Sequence, residues 1–212
     1  MADQPSVDVV LASGSPRRRE LLARHGVKFR VHATDVDEEL DADTLANPEE
    51  AVKKLAERKA GAAVQELLTK DYVGLMAVIG ADTVVVLDGE IFGKPANPGE
   101  AKAMLTRLSG REHQVITAVS VWGVVAGEGP EDVSVYMRTL SETSHVKFKN
   151  LTSGRIEAYV ATGEPMDKAG AYGIQGKAGE FVEYVNGDYD NVVGLPVKRL
   201  LAEFPDIFAS AR

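Results

Sequence analysis

Val7-Asp8-Val9-Val10-Leu11-Ala12-Ser13-Gly14-Ser15-Pro16-Arg17-Arg18-Arg19-Glu20-Leu21-Leu22 passes from an apolar run through a serine–glycine turn into a helical pattern. Ser15 is placed to cap that helix and Pro16 to take its first position. A strand feeding a helix through a tight turn starts the alternation typical of α/β proteins. The three arginines of the first turn are wrong for this helix taken alone. The positive end of the helix dipole repels cations, by ~0.3–1 kcal/mol each near a surface. An anion at the turn reverses the sign, because free backbone N–H groups, two serine hydroxyls and guanidinium forks all favour phosphate oxygens. A local rule broken this plainly marks a functional site.

Outward from this turn, a short strand is expected over 28–33, then an acidic loop over 35–43. A helix is expected from Pro48 to about Leu68, with Val52, Leu55, Ala56, Ala63 and Leu67 on one stripe. Residues 76–79 and 83–87 read as two strands, and Asp88-Gly89 as a two-residue hairpin turn into 90–93. Pro98 opens a second long helix, which Gly110 stops. Residues 113–125 and Val133–Phe148 are β-patterned runs around the polar insert 127–132, an expected antiparallel pair. Residues 152–162 and 196–203 read as helices and 181–185 as a strand. The fold class is α/β: a mixed, curved central sheet with a long antiparallel hairpin, flanked by helices. Residues 1–212 form one domain in this reading.

Composition sets limits. The 212 residues are 44% hydrophobic and 26% charged, which suits one soluble domain with a full core. No run approaches the ~18 apolar residues of a membrane span, and residues 1–5 lack the basic and apolar regions of a signal peptide. The chain has no cysteine, which removes disulfides, thiol catalysis and cysteine–zinc sites and fits a reducing cytoplasm. A net charge of −8 argues against a nucleic-acid polymer as partner. Arginines gathered at one turn of an acidic protein point to a small anion instead.

Several other residues break local patterns. Arg18 lies on the inward stripe of its helix, three and four residues before Leu21 and Leu22, while Arg17 flanks that stripe and Arg19 is solvated. Lys59 sits on the apolar face of its helix, four residues after Leu55; it either snorkels outward or reaches a buried anion. If Asp88-Gly89 is the turn, Thr83 pairs with Lys94, which brings Asp82 within about one residue of Lys94. Alternation then requires Asp82 to lie at a bend or strand end. The two make a plain ion pair, or a metal-binding or base carboxylate beside a phosphate-binding lysine. The loop Asp35-Val36-Asp37-Glu38-Glu39 offers hard oxygen ligands for Mg²⁺ or Mn²⁺, or is simply solvated. Glycines 170, 173, 176 and 179 permit close approach to a ligand, and Gln175 among them offers a donor and an acceptor suited to a uracil or thymine edge. His113 and Trp122 carry no functional assignment.

Together these residues resemble the Maf (septum-formation-inhibitor) family of nucleoside triphosphate pyrophosphatases, from about residue 8 to 204. The resemblance rests on Leu-Ala-Ser-Gly-Ser-Pro-Arg-Arg at 11–18, Asp37-Glu38, Leu55-Ala56-Glu57-Arg58-Lys59-Ala60 and Gly80-Ala81-Asp82-Thr83-Val84-Val85. It continues through Gly93-Lys94-Pro95, Leu108-Ser109-Gly110-Arg111-Glu112-His113, Gly173-Ile174-Gln175-Gly176 and Gly194-Leu195-Pro196. The Gly-Ile-Gln-Gly spelling resembles the branch acting on dTTP and UTP. Ala118 departs from the pattern, where glycine is common, and the insert 127–132 is idiosyncratic.

The resemblance implies hydrolysis between the α and β phosphates with a divalent cation, in a nucleotide cleft between two lobes. It implies that Arg17, Arg18, Lys59 and Lys94 neutralise the triphosphate, and that Ser13 contacts phosphate or metal-bound water. Glu38 and Asp82 would hold Mg²⁺ or Mn²⁺, Asp82 would serve as general base, and Gln175 and Thr83 would select the base. A homodimer is the common default for such a soluble enzyme. Selectivity for purine analogues, or a non-catalytic nucleotide-binding regulator of cell division, are the alternatives. The regulator would need the basic residues but not the carboxylates.

Overall fold

Val7–Ala12 forms strand β1, with four of its six residues buried, as expected for a strand covered on both faces. Ser15 then caps helix α1, Pro16–Arg24, its hydroxyl accepting from the Arg18 amide with proline at the helix start. Leu21 and Leu22 are fully buried, which stabilises this corner by roughly 1.5–3 kcal/mol per side chain. The computed structural model describes residues 6–69, 71–129 and 131–209. The opening residues 1–5 and Pro130 of the insert lie outside the described residues.

After α1 come β2 (Arg30–Val31), α2 (Ala42–Leu45), α3 (Pro48–Leu67), β3 (Gly74–Leu87) and β4 (Glu90–Phe92). There follow α4 (Pro98–Leu108), the long strands β5 (Glu112–Ala126) and β6 (Val133–Phe148), and α5 (Ser153–Val160). Short 3-10 turns at Glu164–Asp167, Ala169–Ala171 and Lys177–Phe181 lead to β7 (Val182–Asn186). Helices α6 (Tyr189–Val193), α7 (Val197–Glu203) and α8 (Pro205–Ala209) close the described chain. Asn47 and Asn97 cap α3 and α4 through side-chain oxygens, each followed by the proline that opens the helix.

The strands make one seven-stranded, mixed and open sheet in the order β2-β1-β3-β5-β6-β7, with β4 on β3. Strands β2, β1 and β3 run parallel, and the remaining pairs are antiparallel. Even-numbered residues of β3 face α3: Met76 and Val78 pack with Ala60, Ala63 and Val64, and Val84 and Val86 with Val52 and Ala56. Odd-numbered residues face the other layer: Ile79 and Ala81 meet Leu21, Leu22, Leu195 and Leu200. Val85 and Leu87 meet Leu105 and Leu108 of α4 and Ile156 of α5. Among the described residues no helix is long and apolar enough to cross a membrane.

Several expectations change. The two strands expected at 76–79 and 83–87 are one strand, continuous through Gly80-Ala81-Asp82 and paired with β5 from Gly74↔Ala126 to Val86↔Gln114. Gly80 is no break: a Cβ there would sit 2.9 Å from the Ala60 Cβ and overlap the Ala56 carbonyl, so its absence lets α3 lie close on the sheet. The strand expected over 28–33 shrinks to Arg30–Val31, whose residues are exposed at the sheet edge. The Asp88-Gly89 turn holds, with φ of 54° and 82° and Leu87↔Glu90 as the first pair. Its ladder stops at Val85↔Phe92, so Thr83 does not pair with Lys94. Thr152 caps α5 rather than joining it, and α6 and α8 are short helices the hydrophobic pattern did not reveal.

Candidate active site

The register of β3 creates the site. On one edge β1 pairs with Leu75 to Gly80 and stops at Ala12, while β4 takes up the strand only at Val85. The other edge is held by β5 throughout, so β1 and β4 lie on the same side with a gap beside Ala81, Asp82, Thr83 and Val84. A cleft of about 700 Å³ opens at this gap. Its walls include the Ser13-Gly14-Ser15 turn with Arg17 and Arg18, Glu38, Lys59, Asp82, Thr83, Lys94 and Gln175. Ser13, Arg17, Arg18, Glu38, Lys59, Asp82, Thr83, Lys94 and Gln175 therefore border one cavity between two halves of the sheet, while Asp35, Asp37 and Glu39 of the acidic loop do not.

Asp82 points to the α3 side and meets Lys59, whose ammonium lies 2.6 Å from Asp82 Oδ1 and 2.6 Å from Glu38 Oε1. The side chains of Lys59 and Asp82 are only 15% and 14% exposed, so this pair is shielded from screening in a way the protein's rim pairs are not. The partner expected for Asp82 was Lys94; the structure gives it Lys59, because Lys94 has left the hairpin ladder and Asp82 sits mid-strand. The Lys59 hydrogen bond holds the Glu38 carboxyl below the usual glutamate range; burial opposes it, and the charges of Lys59, Lys94 and Arg18 add to it.

Thr83 points the other way, toward Arg18. The Arg18 guanidinium donates from Nε to the Gly194 carbonyl at 2.8 Å, to Ser13 Oγ at 3.2 Å and to Thr83 Oγ1 at 3.1 Å. Three of the five N–H donors of an arginine are thus committed. Burial lowers the Arg18 pKa, and Asp82 works against that shift. Thr117 donates to the Asn191 carbonyl at 2.9 Å, so the 2.9 Å contact between Thr83 and Thr117 has Thr83 as its donor. One lone pair of the Thr83 hydroxyl remains for a ligand. Arg17 and Lys94, by contrast, make no hydrogen bond or ion pair among the described residues while bordering the cleft. Arg19 is exposed, as expected.

Sequence reasoning missed several contributors. Asp167 and Lys168 line the cleft, with Lys168 Nζ 2.6 Å from Asp167 Oδ1. Thr117 and Asn191 hold Thr83 from behind, and Asn191 Nδ2 donates to the Val115 carbonyl and Ser144 Oγ, each at 3.0 Å. The contacts of Thr83, Thr117 and Asn191 join residues 34 to 76 positions apart, beyond any local pattern. Of the two unassigned residues, His113 packs in the core with Nε2 2.8 Å from the Tyr172 hydroxyl. Trp122 covers Gly61 of α3 and donates to Ser120 Oγ.

The model of the Maf-like protein family matches residues 8–206. This chain belongs to the Maf-like family. Among curated proteins, this Maf-like chain is 45% identical over 195 residues to the dTTP/UTP pyrophosphatase of Bacillus thuringiensis subsp. konkukian, covering 92% of this chain and 93% of that protein. It is 48% identical over 192 residues to the dTTP/UTP pyrophosphatase of Symbiobacterium thermophilum, covering 90% and 89%.

Proposed function

We propose that this Maf-like protein is a nucleoside triphosphate pyrophosphatase that hydrolyses dTTP and UTP to the monophosphate and pyrophosphate. The observation that carries this reading is the meeting of Glu38, Lys59 and Asp82 in the same cleft as the arginine turn. A pure nucleotide binder needs the cations but gains nothing from two carboxylates facing a polyanion. Its relatives named dTTP/UTP pyrophosphatase support the substrate class.

The donor set suits a hard divalent cation. One or two carboxylates, with waters and substrate phosphates to complete the shell, is how Mg²⁺ or Mn²⁺ is held in phosphoryl-transfer sites, and Glu38 and Asp82 offer such oxygens on either side of the Lys59 ammonium. Glu38 and Asp82 would hold it, and when bound it would supply Lewis-acid polarisation of the α-phosphoryl oxygens. Arg17 and Lys94, without protein partners, bind the β and γ phosphates and steady the leaving pyrophosphate. Arg18 and Ser13 brace the α1 N-terminus, whose amides face the same anion. Asp82 Oδ2, the oxygen that Lys59 does not occupy, accepts the proton of the attacking water. Lys59 holds that carboxylate in place and offsets the charge gathered there. Gln175 reads the base edge, with Thr83 offering its free lone pair nearby. The enzyme acts as one domain and, in this reading, as a homodimer in the cytoplasm, a setting that its lack of cysteine suits.

The test is pyrophosphate release from a panel of nucleoside triphosphates, with Mg²⁺, Mn²⁺ or a chelator. Metal-dependent release from dTTP and UTP, with little from purines, is the expected result. Release from purine analogues alone keeps the chemistry and removes Gln175 and Thr83 from base selection. Binding without release from any nucleotide overturns the enzyme reading.

A further inference from the structure

The loop carrying Gln175 has a weakness that the structure corrects with one side chain. Glycines at 170, 173, 176 and 179 give this segment wide conformational freedom, and an amide on a wandering loop cannot select a base edge. Both amides two residues from Gln175 end on the same pair of side chains. The Gly173 N–H donates to the Tyr159 hydroxyl at 3.3 Å, and the Lys177 N–H donates to Glu164 Oε2 at 3.3 Å. The Tyr159 hydroxyl in turn donates to Glu164 Oε1 at 3.1 Å. The two glycines flanking Gln175 make room for this arrangement. A Cβ at Gly176 would overlap the Glu164 carboxylate, and one at Gly173 would lie 2.6 Å from the Lys168 Cε.

The clamp is itself fixed to rigid parts. Tyr159 is 4% exposed and stacks edge-on against Phe181 at 5.1 Å between ring centroids. Burial pushes its phenol pKa well up, so the hydroxyl keeps the proton it donates. The Glu164 carbonyl accepts from Lys168 Nζ at 2.7 Å, and Lys168 borders the cleft. The segment from Glu164 to Lys168 therefore joins the base loop to the cleft wall.

We propose that Glu164, with Tyr159 behind it, is the positioning residue for base selection: its carboxylate fixes the Gly173–Lys177 loop so that Gln175 meets the base in one orientation. This rests on the reading of Gln175 as the base reader. The test compares kcat and KM for dTTP and dCTP in the wild type, Glu164→Ala, Glu164→Gln, Tyr159→Phe, Gln175→Ala and the Glu164→Ala/Gln175→Ala double variant. Hydrogen exchange at the Gly173 and Lys177 amides is followed in parallel. In Glu164→Ala the dTTP preference over dCTP falls about tenfold, the scale of one or two lost hydrogen bonds, through a raised KM for dTTP with kcat within about twofold. Both amides exchange faster. Glu164→Gln, which keeps an acceptor for Lys177, rescues most of the preference. The double variant discriminates no worse than Gln175→Ala alone, because the two side chains act on one event. Should Glu164→Ala not fold, Tyr159→Phe, which removes the acceptor of the Gly173 amide and the donor to Glu164, decides between the same outcomes by losing part of the preference. Loss of preference in Gln175→Ala with none in the Glu164 or Tyr159 variants overturns the clamp alone. Preference unchanged in Gln175→Ala overturns the base reading, and the clamp with it.

Discussion

The end of the cleft proposed to take the phosphates stands on long regular elements, whereas the end proposed to take the base hangs from a glycine loop. At the phosphate end, α1, α3 and β3 deliver Arg18, Lys59 and Asp82 from backbones already fixed by ladder and helix bonds. At the base end, Gln175 lies between short 3-10 turns and owes its place to side-chain contacts from Tyr159 and Glu164. The difference matches the chemistry. A transferring phosphate needs charges held to within a fraction of an ångström, while a base edge needs a reader that a few residues can re-aim. The same contrast runs through the cations. Arg18 and Lys59 are tied to protein acceptors, whereas Arg17 and Lys94 have no such partner among the described residues and are the cations proposed to meet the substrate.

The contrast breaks most sharply at Asp82. Asp82→Asn keeps the shape of the phosphate end and removes its proton acceptor. Turnover is expected to fall by about 10³, within the range of general base loss, while a non-hydrolysable triphosphate binds within a few-fold of wild type. Near-normal turnover in that variant removes Asp82 from the base role.

A smaller effect sits behind the base end. His113 is 2% exposed, and its Nδ1 has no hydrogen-bond partner among the described residues. Burial lowers its pKa to about 4. The folded state thus resists protonation while the unfolded chain accepts it near the ordinary histidine value of about 6.5. Between those two values the unfolded state binds more protons, so stability falls as pH drops through this window, by on the order of 3 kcal/mol in all. Denaturant melts at pH 7, 5.5 and 4.5 check this: His113→Gln, which keeps a polar partner for Tyr172, flattens the slope. An equally steep slope in the variant assigns the loss to the carboxylates instead.

Least in size, and most useful for the cations, is the pair Arg17→Ala and Arg18→Ala. Arg17→Ala is expected to raise KM about tenfold, the value of one charge-assisted contact, with an unchanged melting temperature. Arg18→Ala also lowers the melting temperature, since it removes the N–H groups that Thr83 and the Gly194 carbonyl accept and leaves Ser13 with the Ser15 amide alone. Equal thermal losses in both variants contradict the division into tied and substrate-facing cations.

What could be read from the sequence follows the same line between the two ends. The Ser15 cap, Pro16, the Asp88-Gly89 turn and the paired runs of β5 and β6 are local signals, and each holds in the structure. Lys59 was visible because a cation on an apolar stripe violates the pattern of its own helix. Its partner was not visible: the Lys59–Asp82 contact depends on how closely α3 lies on β3, which Gly80 decides through a steric demand from 20 to 24 residues away. Read alone, residues 80–82 fall between two expected strands. Gly194 as an acceptor for Arg18 lies 176 residues from it, and the Glu164 clamp is a set of side-chain contacts with no periodicity. Patterns broken within one element reveal a site; the contacts that complete it belong to the packing.

The central claim is water attack at the α phosphorus, with pyrophosphate leaving. Its most direct measurement is dTTP hydrolysis in ¹⁸O-labelled water, with the products resolved by mass. The account predicts one labelled oxygen in the monophosphate and none in pyrophosphate. Label in pyrophosphate, or release of inorganic phosphate in its place, would contradict it.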